Sequence, residues 1–225
     1  MRRDRPTELL EIDNLRKSLY SSQFSLSYDD LGGKSLTTNS KTIRVSTIAK
    51  NMAIPLKFGR MLFFLVEQVK PKSILEIGTS LGLSTSYLCI RGEHEKCITL
   101  DGNPEVLKVT RQNFEKLGLS SVNIYEGSFD HTLPEAINDL GKVDMVFFDG
   151  NHQLEPTLDY FNKCKAIANE NAVFIFDDIR WSAGMEQAWD TIRSDPRLTV
   201  TIDLFSIGLG FFRPGQEKEH FVLRY

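Results

Sequence analysis

The chain has 225 residues, 41% of them hydrophobic and 25% charged, with a formal net charge of -3 and a pI near 5.9. That length holds one ordinary α/β domain with a helical extension, and it can bury a sizeable core. The mild acidity offers no global basic field for nucleic acid or anionic membranes. No apolar run approaches the roughly 18 residues of a membrane-spanning helix.

The opening MRRDRPTELLEIDNL is charged where a signal peptide needs an apolar core, so the expected location is cytoplasmic. Leu9, Leu10, Ile12, Leu15 and Leu19 recur at helical spacing and predict an amphipathic helix. Asp29–Thr42, DDLGGKSLTTNSKT, is rich in glycine and hydroxyl residues and reads as a loop. Pro55 suits the first turn of a long helix whose core is Met61–Val69. Residues 1–70 are therefore expected as a helical extension packed on one domain, 71–225.

From Pro71 onward the pattern changes. Short apolar runs at Ser73–Ile77, Cys97–Asp101, Val122–Tyr125, Met145–Asp149 and Val173–Asp177 predict strands. Helical patterns fall near Ser84–Arg91, Pro104–Leu117, Leu133–Leu140, Pro156–Ala168 and Gly184–Ser194. The second of these is well punctuated, with Asn103 as N-cap, Pro104 in the first turn and Gly118 past the end. Alternating strands and helices with continuous apolar strands imply a parallel sheet covered on both faces. Thr199–Arg213 reads as a hairpin. Glu219–Tyr225 reads either as one more strand or as an edge that pairs with another chain, which leaves a homodimer open. Cys89, Cys97 and Cys164 are few, odd in number and widely spaced. They fit neither a disulfide framework nor a zinc site and are expected as reduced core thiols.

In such a sheet, ligands bind beyond the carboxyl ends of the strands. Those ends carry Glu76 to Gly82, Asp101, Glu126 to Phe129, Asp149 to His152 and Asp177 to Trp181. Charge is costly to bury without a partner, so this pattern favours a site over packing. The loop Gly78-Thr79-Ser80-Leu81-Gly82 lacks the Gly-Lys-Ser/Thr of a phosphate loop. It also lacks G-x-G-x-x-G, which argues against a dehydrogenase. Its G-x-x-x-G spacing suits a tight turn against a ligand without a pyrophosphate. Glu76, two residues before the loop, is placed to receive an ammonium group directly or through water. Asp101, ending the next strand, is placed to accept from ribose hydroxyls.

LEIGTSLGLS (Leu75–Ser84) resembles the first motif of class I S-adenosylmethionine-dependent methyltransferases, and ITLDGNP (Ile98–Pro104) resembles the second. The nearer likeness is to the small-molecule O-methyltransferases of the catechol O-methyltransferase type, over roughly residues 51–213. The resemblance implies a Rossmann-like fold: a seven-stranded, mostly parallel sheet with a C-terminal antiparallel hairpin and N-terminal helices acting as a lid. It implies S-adenosylmethionine as cofactor, with Glu76, Gly78, Thr79, Ser80 and Gly82 around the methionine moiety and Ser84 on its carboxylate. Asp101, followed by Gly102, would hold the ribose. YEGSF (Tyr125–Phe129) matches the adenine-contacting segment and implicates Gly127, Ser128 and Phe129, although Ser128 also reads as a helix cap and Phe129 as core.

DMVFFDGNHQ (Asp144–Gln153) ends in Asp149, expected to face the sulfonium. AVFIFDDIRW (Ala172–Trp181) ends in Asp177 and Asp178. In cation-dependent relatives an aspartate and an Asp-Asn pair at these ends ligate magnesium, so Asp149, Asp177 and Asp178 are candidate Mg²⁺ ligands. Asp178 departs from that pattern in replacing an asparagine. His152 stands where the catechol enzyme has a lysine, and suits a general base near neutral pH, or else a loop or cap histidine. Trp181 reads as pocket wall or core. A small acceptor, reacting at a hydroxyl oxygen, is the expected substrate. The segment after Asp149 lacks the Pro-Pro-aromatic grip of base amino-methyltransferases, and there is no basic stripe. A nucleic-acid or protein methyltransferase and a non-catalytic nucleoside-binding protein remain as alternatives.

Overall fold

The computed structural model describes residues 6–27 and 42–225. Of the loop expected over Asp29–Thr42, residues 29–41 lie outside them, and Thr42 is the first residue of a strand. Helix α1 (Thr7–Ser21) buries Leu9, Ile12, Leu15 and Leu19 as expected, but Leu10 is exposed. It lies off the i, i+3, i+4 stripe that the other four define. Strands β1 (Ser25–Ser27) and β2 (Thr42–Arg44) form a small antiparallel ladder, followed by α2 (Val45–Asn51) and α3 (Leu56–Val69). Pro55 is the N-cap of α3 rather than its first helical residue.

The main body is β3 (Ser73–Ile77), α4 (Leu83–Cys89), β4 (Lys96–Asp101), α5 (Pro104–Lys116), β5 (Val122–Glu126), α6 (Phe129–Leu140), β6 (Val143–Phe148), α7 (Leu154–Ala166), β7 (Ala168–Phe176) and α8 (Ala183–Ser194). Strands β8 (Val200–Asp203), β9 (Gly208–Phe211) and β10 (Glu219–Val222) complete it. Asn103 caps α5 through its side chain, which accepts from the Glu105 and Val106 amides at 3.1 Å each. Such a cap contributes about 1 kcal/mol.

The sheet order is β10-β8-β9-β7-β6-β3-β4-β5. Strands β3 to β7 pair in parallel, while β9 runs antiparallel to both β7 and β8. The hairpin expected over Thr199–Arg213 is therefore present. The sheet has eight strands rather than seven, because β10 adds in parallel to β8. All four β10 residues are exposed, so no apolar alternation marked them as a strand.

Successive residues of the central strands face opposite layers, as the two-residue period requires. Ile74, Met145, Phe147, Val173 and Ile175 pack towards α1 to α5. Leu75, Ile77, Val146, Phe148, Phe174 and Phe176 pack towards α6 to α8. The chain order reverses between β3 and β6, which opens a crevice at their carboxyl ends.

Candidate active site

The crevice is built from the loops that follow β3, β4, β6 and β7. Asp149 and Asp177 lie one residue past their strands, a residue later than the expected runs implied. Three non-glycine residues in these loops hold left-handed backbone: Ser80 (φ 45°), Asn151 (φ 54°) and Asp178 (φ 52°). Asn and Asp tolerate that region better than most, and such strain gathers at functional loops.

Glu76 is fully buried within β3. Its Oε2 accepts from the Thr85 hydroxyl and, at 2.6 Å, from Thr99 Oγ1, while Oε1 is buried without a hydrogen-bond partner. Burial raises its pKa to about 7; the Thr85, Thr99 and Ser84 hydroxyls pull it down, and Asp101 adds to the rise. Thr85 and Thr99 were absent from the sequence-based site. Thr99 signalled itself only as a hydroxyl inside an apolar run, and Thr85 only as one of three successive hydroxyl residues after the glycine loop.

The glycine loop is clamped to both neighbouring strands. Gly78 and Thr79 donate their amides to Leu100 O at 2.9 and 3.0 Å, and Thr79 Oγ1 lies 2.6 Å from Thr99 Oγ1. Gly78 has φ +107°, and a Cβ there would lie 2.2 Å from the Asp149 carbonyl oxygen. Gly82, at φ +75°, caps α4, and a Cβ on it would strike the Phe114 ring at 2.4 Å.

Asp101 ties the second loop to the first. Its carboxylate accepts from Ser80 N at 2.7 Å and from Asn103 N at 2.9 Å. Burial raises its pKa, and the amides of Asn103, Ser80 and Gly102 oppose that. Gly127 N donates to Asp101 O at 3.0 Å, which draws the third loop to the same place. Ser128 occupies the N-cap position of α6 but makes no side-chain cap bond. Phe129 is half-buried, edge-on to Tyr160 at 5.9 Å and against Gly150.

His152 completes the cluster. Its Nε2 lies 3.7 Å from Asp149 Oδ1 and 4.0 Å from Asp178 Oδ2. Burial holds the imidazole below its ordinary pKa, with Asp178 pulling the other way. Asp149 is raised well above the usual carboxylate range, first by burial and then by the charges of Asp177, Asp178 and Glu76. Asp177 rises to about 7 by burial and the adjacent Asp178. The structure thus gathers His152 with the three aspartates. The aspartates do not all converge within 4.8 Å, as an already closed three-ligand cation site would.

Trp181 is neither core nor buried: it is 65% exposed. Its amide donates to Asp178 O at 2.9 Å, which fixes it beside the cluster. Phe205, missed in the sequence, is also exposed, in the β8–β9 turn at φ +75°. The turn is held at this end of the sheet by Arg180, which donates to both Asp203 oxygens at 2.7 and 2.6 Å.

Residues 75–179 match a family model described as a methyltransferase domain. The chain is 28% identical over 124 residues to a catechol O-methyltransferase of Niastella koreensis, covering 54% of this chain and 55% of that one. It is 28% identical over 136 residues to a catechol O-methyltransferase of Mycobacterium tuberculosis, covering 60% of each. The chain thus matches somewhat over half the length of these curated relatives. Among solved structures, an O-methyltransferase from Bacillus cereus in complex with SAH superposes with a TM-score of 0.65 at 18% identity. That alignment covers 92% of this chain and 91% of the other, and shows a shared fold. Among the described residues, no helix is long and apolar enough to cross a membrane.

Proposed function

We propose that the protein transfers a methyl group from S-adenosylmethionine to a hydroxyl oxygen of a small acceptor. The observation that carries this reading is the buried, unpartnered Oε1 of Glu76 beside a glycine loop that no Cβ would fit. A carboxylate oxygen kept from water is costly unless a donor arrives, and the ammonium of the cofactor is such a donor. The O-methyltransferases to which the chain is similar support the same chemistry.

In this reading Glu76 and the Gly78–Gly82 backbone, including Thr79 and Ser80, hold the methionine moiety, and Ser84 reaches its carboxylate. Asp101 and Gly102 take the ribose, while Gly127, Ser128 and Phe129 line the adenine. S-Adenosylmethionine supplies a methyl group already activated on sulfonium. The protein has to align the acceptor in line, remove its proton and exclude water. His152, neutral at neutral pH, takes the hydroxyl proton on its unprotonated ring nitrogen. Asp149 and Asp178 stabilise the imidazolium so formed. Trp181 and Phe205 offer the acceptor an apolar surface, and residues 1–70 act as the lid over a domain of 71–225.

A second reading has a specific observation behind it: three carboxylates at adjacent strand ends, two with raised pKa. Asp149, Asp177 and Asp178 form an all-oxygen donor set suited to Mg²⁺, which would lower the acceptor hydroxyl's pKa. A panel of hydroxylated small molecules incubated with radiolabelled methyl donor tests the proposal. Label transferred to oxygen is expected, and a panel without any labelled product, under conditions where the cofactor binds, would oppose it.

A further inference from the structure

The sequence spacing gave no reason to group the cysteines, yet the fold brings two of them together with a histidine. Cys89 is the last residue of α4, Cys97 the second residue of β4, and His94 stands in the loop between them. One ligand atom from each lies within 4.8 Å of the other two, and among the described residues this is the only such trio. All three thiols are free, and Cys164 belongs to the opposite face of the sheet. The loop is shaped to return the chain: Gly92 N donates to Cys89 O at 2.9 Å, and the Glu95 and Lys96 amides both donate to Lys72 O. His94 is half-buried, with Ser121 Oγ 3.3 Å from its Nε2, a contact that orients the ring.

We propose that Cys89, His94 and Cys97 bind one Zn²⁺, with water in the fourth position on the side that His94 leaves open. Two thiolates and an imidazole are soft to borderline donors, which suit zinc and exclude magnesium and calcium. Charge selects among the remaining metals. Zn²⁺ with two thiolates and a neutral imidazole sums to zero, which an apolar interior accepts, whereas Cu⁺ would leave a net negative charge there. Tetrahedral zinc, with bonds of about 2.0–2.3 Å, spaces its ligands by about 3.5–3.8 Å. The cluster therefore has to close by only about 1 Å. The site would staple the end of α4 to β4 and so brace the crossover that follows the glycine loop. None of its three residues serves the methyl-transfer reading.

The full-length protein, stripped with chelator under reducing conditions and titrated with Co²⁺, gives the test. We expect one equivalent to bind with a thiolate-to-cobalt charge-transfer band and the intense visible bands of tetrahedral cobalt, displaced by one equivalent of Zn²⁺. Cys97→Ser should abolish the charge-transfer band or halve it, and His94→Gln should weaken zinc binding more than about tenfold. Cys164→Ser and Asp178→Asn should leave the spectrum unchanged. His94 is half-buried, so His94→Gln remains decisive if the buried cysteine variant does not fold. Cobalt binding without the charge-transfer band, or a spectrum unaltered in His94→Gln, would overturn the proposal. So would zinc that fails to displace cobalt, or a Cys89–Cys97 disulfide that persists in place of metal binding.

Discussion

The backbones of Gly78 and Asp149 are in direct contact across the point where the strand order reverses. A Cβ on Gly78 would stand 2.2 Å from the Asp149 carbonyl oxygen, while Asp149 N donates to Ile77 O at 2.9 Å. The two loops that frame the crevice therefore cannot part or approach without disturbing each other. The residue that opens the glycine loop therefore also fixes where the backbone of Asp149 sits.

Gly78→Ala tests that contact. It combines a left-handed φ with a clash against backbone that has no rotamer to escape into. The expected cost is about 2–5 kcal/mol, read from the denaturant midpoint, with cofactor affinity lost as well. A variant with wild-type stability and affinity would mean that the loops are not so coupled.

Glu76 ties function to pH-dependent stability. Its carboxyl ionises near 4.5 in the unfolded chain and at about 7 when folded without ligand. Between those values the unfolded chain has released a proton that the folded one keeps. Stability therefore falls as pH rises through that window and stays lower above it. The full difference is about 3 kcal/mol. Glu76→Gln should flatten this slope and raise apoprotein stability at pH 8, while weakening cofactor binding. Equal pH slopes in the two proteins would show that the Glu76 carboxyl has the same pKa in the folded and unfolded chain.

The reacting end distinguishes a histidine base from a bound cation. His152→Ala is expected to slow transfer by roughly 10²–10⁴-fold, with chelator leaving the wild type unaffected. If activity instead vanishes in chelator and returns with magnesium, the aspartates hold a cation. Asp178→Asn should then stay active, while Asp177→Ala loses both activity and metal affinity. Full activity of His152→Ala would remove the base.

Much of this architecture was legible in the residues themselves. The apolar runs of β3, β4, β6 and β7 stand buried on both faces, so their continuity signalled a parallel sheet, and Asn103-Pro104 marked the start of α5. Other features depend on contacts that no local pattern records. Strand β10, one of the two readings of Glu219–Tyr225, lies wholly exposed, so its side chains carried no burial period to decide between them; it pairs with β8 through the backbone and the Thr201–His220 contact at 2.8 Å. Leu10 sits beside a helical stripe that it does not join. Thr85 and Thr99 meet Glu76 only once β3, β4 and α4 are assembled, and the turn carrying Phe205 is held by the Arg180–Asp203 pair. His94 joins the cysteines only through the return of the loop onto Lys72.

The lid can be tested apart from the chemistry. Within the segment 30–58, α2 is anchored by buried Val45, Ile48 and Ala49, so any ligand-dependent change should fall on either side of it. Limited proteolysis across 30–58 is expected to slow when S-adenosylhomocysteine is bound, as the segment closes over the site. Cleavage that proceeds identically with and without ligand would mean that it forms no lid.

Calorimetric titration of the wild type and Asp101→Ala with S-adenosylmethionine, S-adenosylhomocysteine and NAD bears most directly on the central claim. Asp101 is the carboxylate that binds the first two loops together and is assigned to the ribose. The account predicts that both sulfur ligands bind one per chain, that NAD does not bind, and that Asp101→Ala weakens binding by about 1.5–3 kcal/mol. Binding of NAD alone, or no binding of either sulfur ligand, would contradict it.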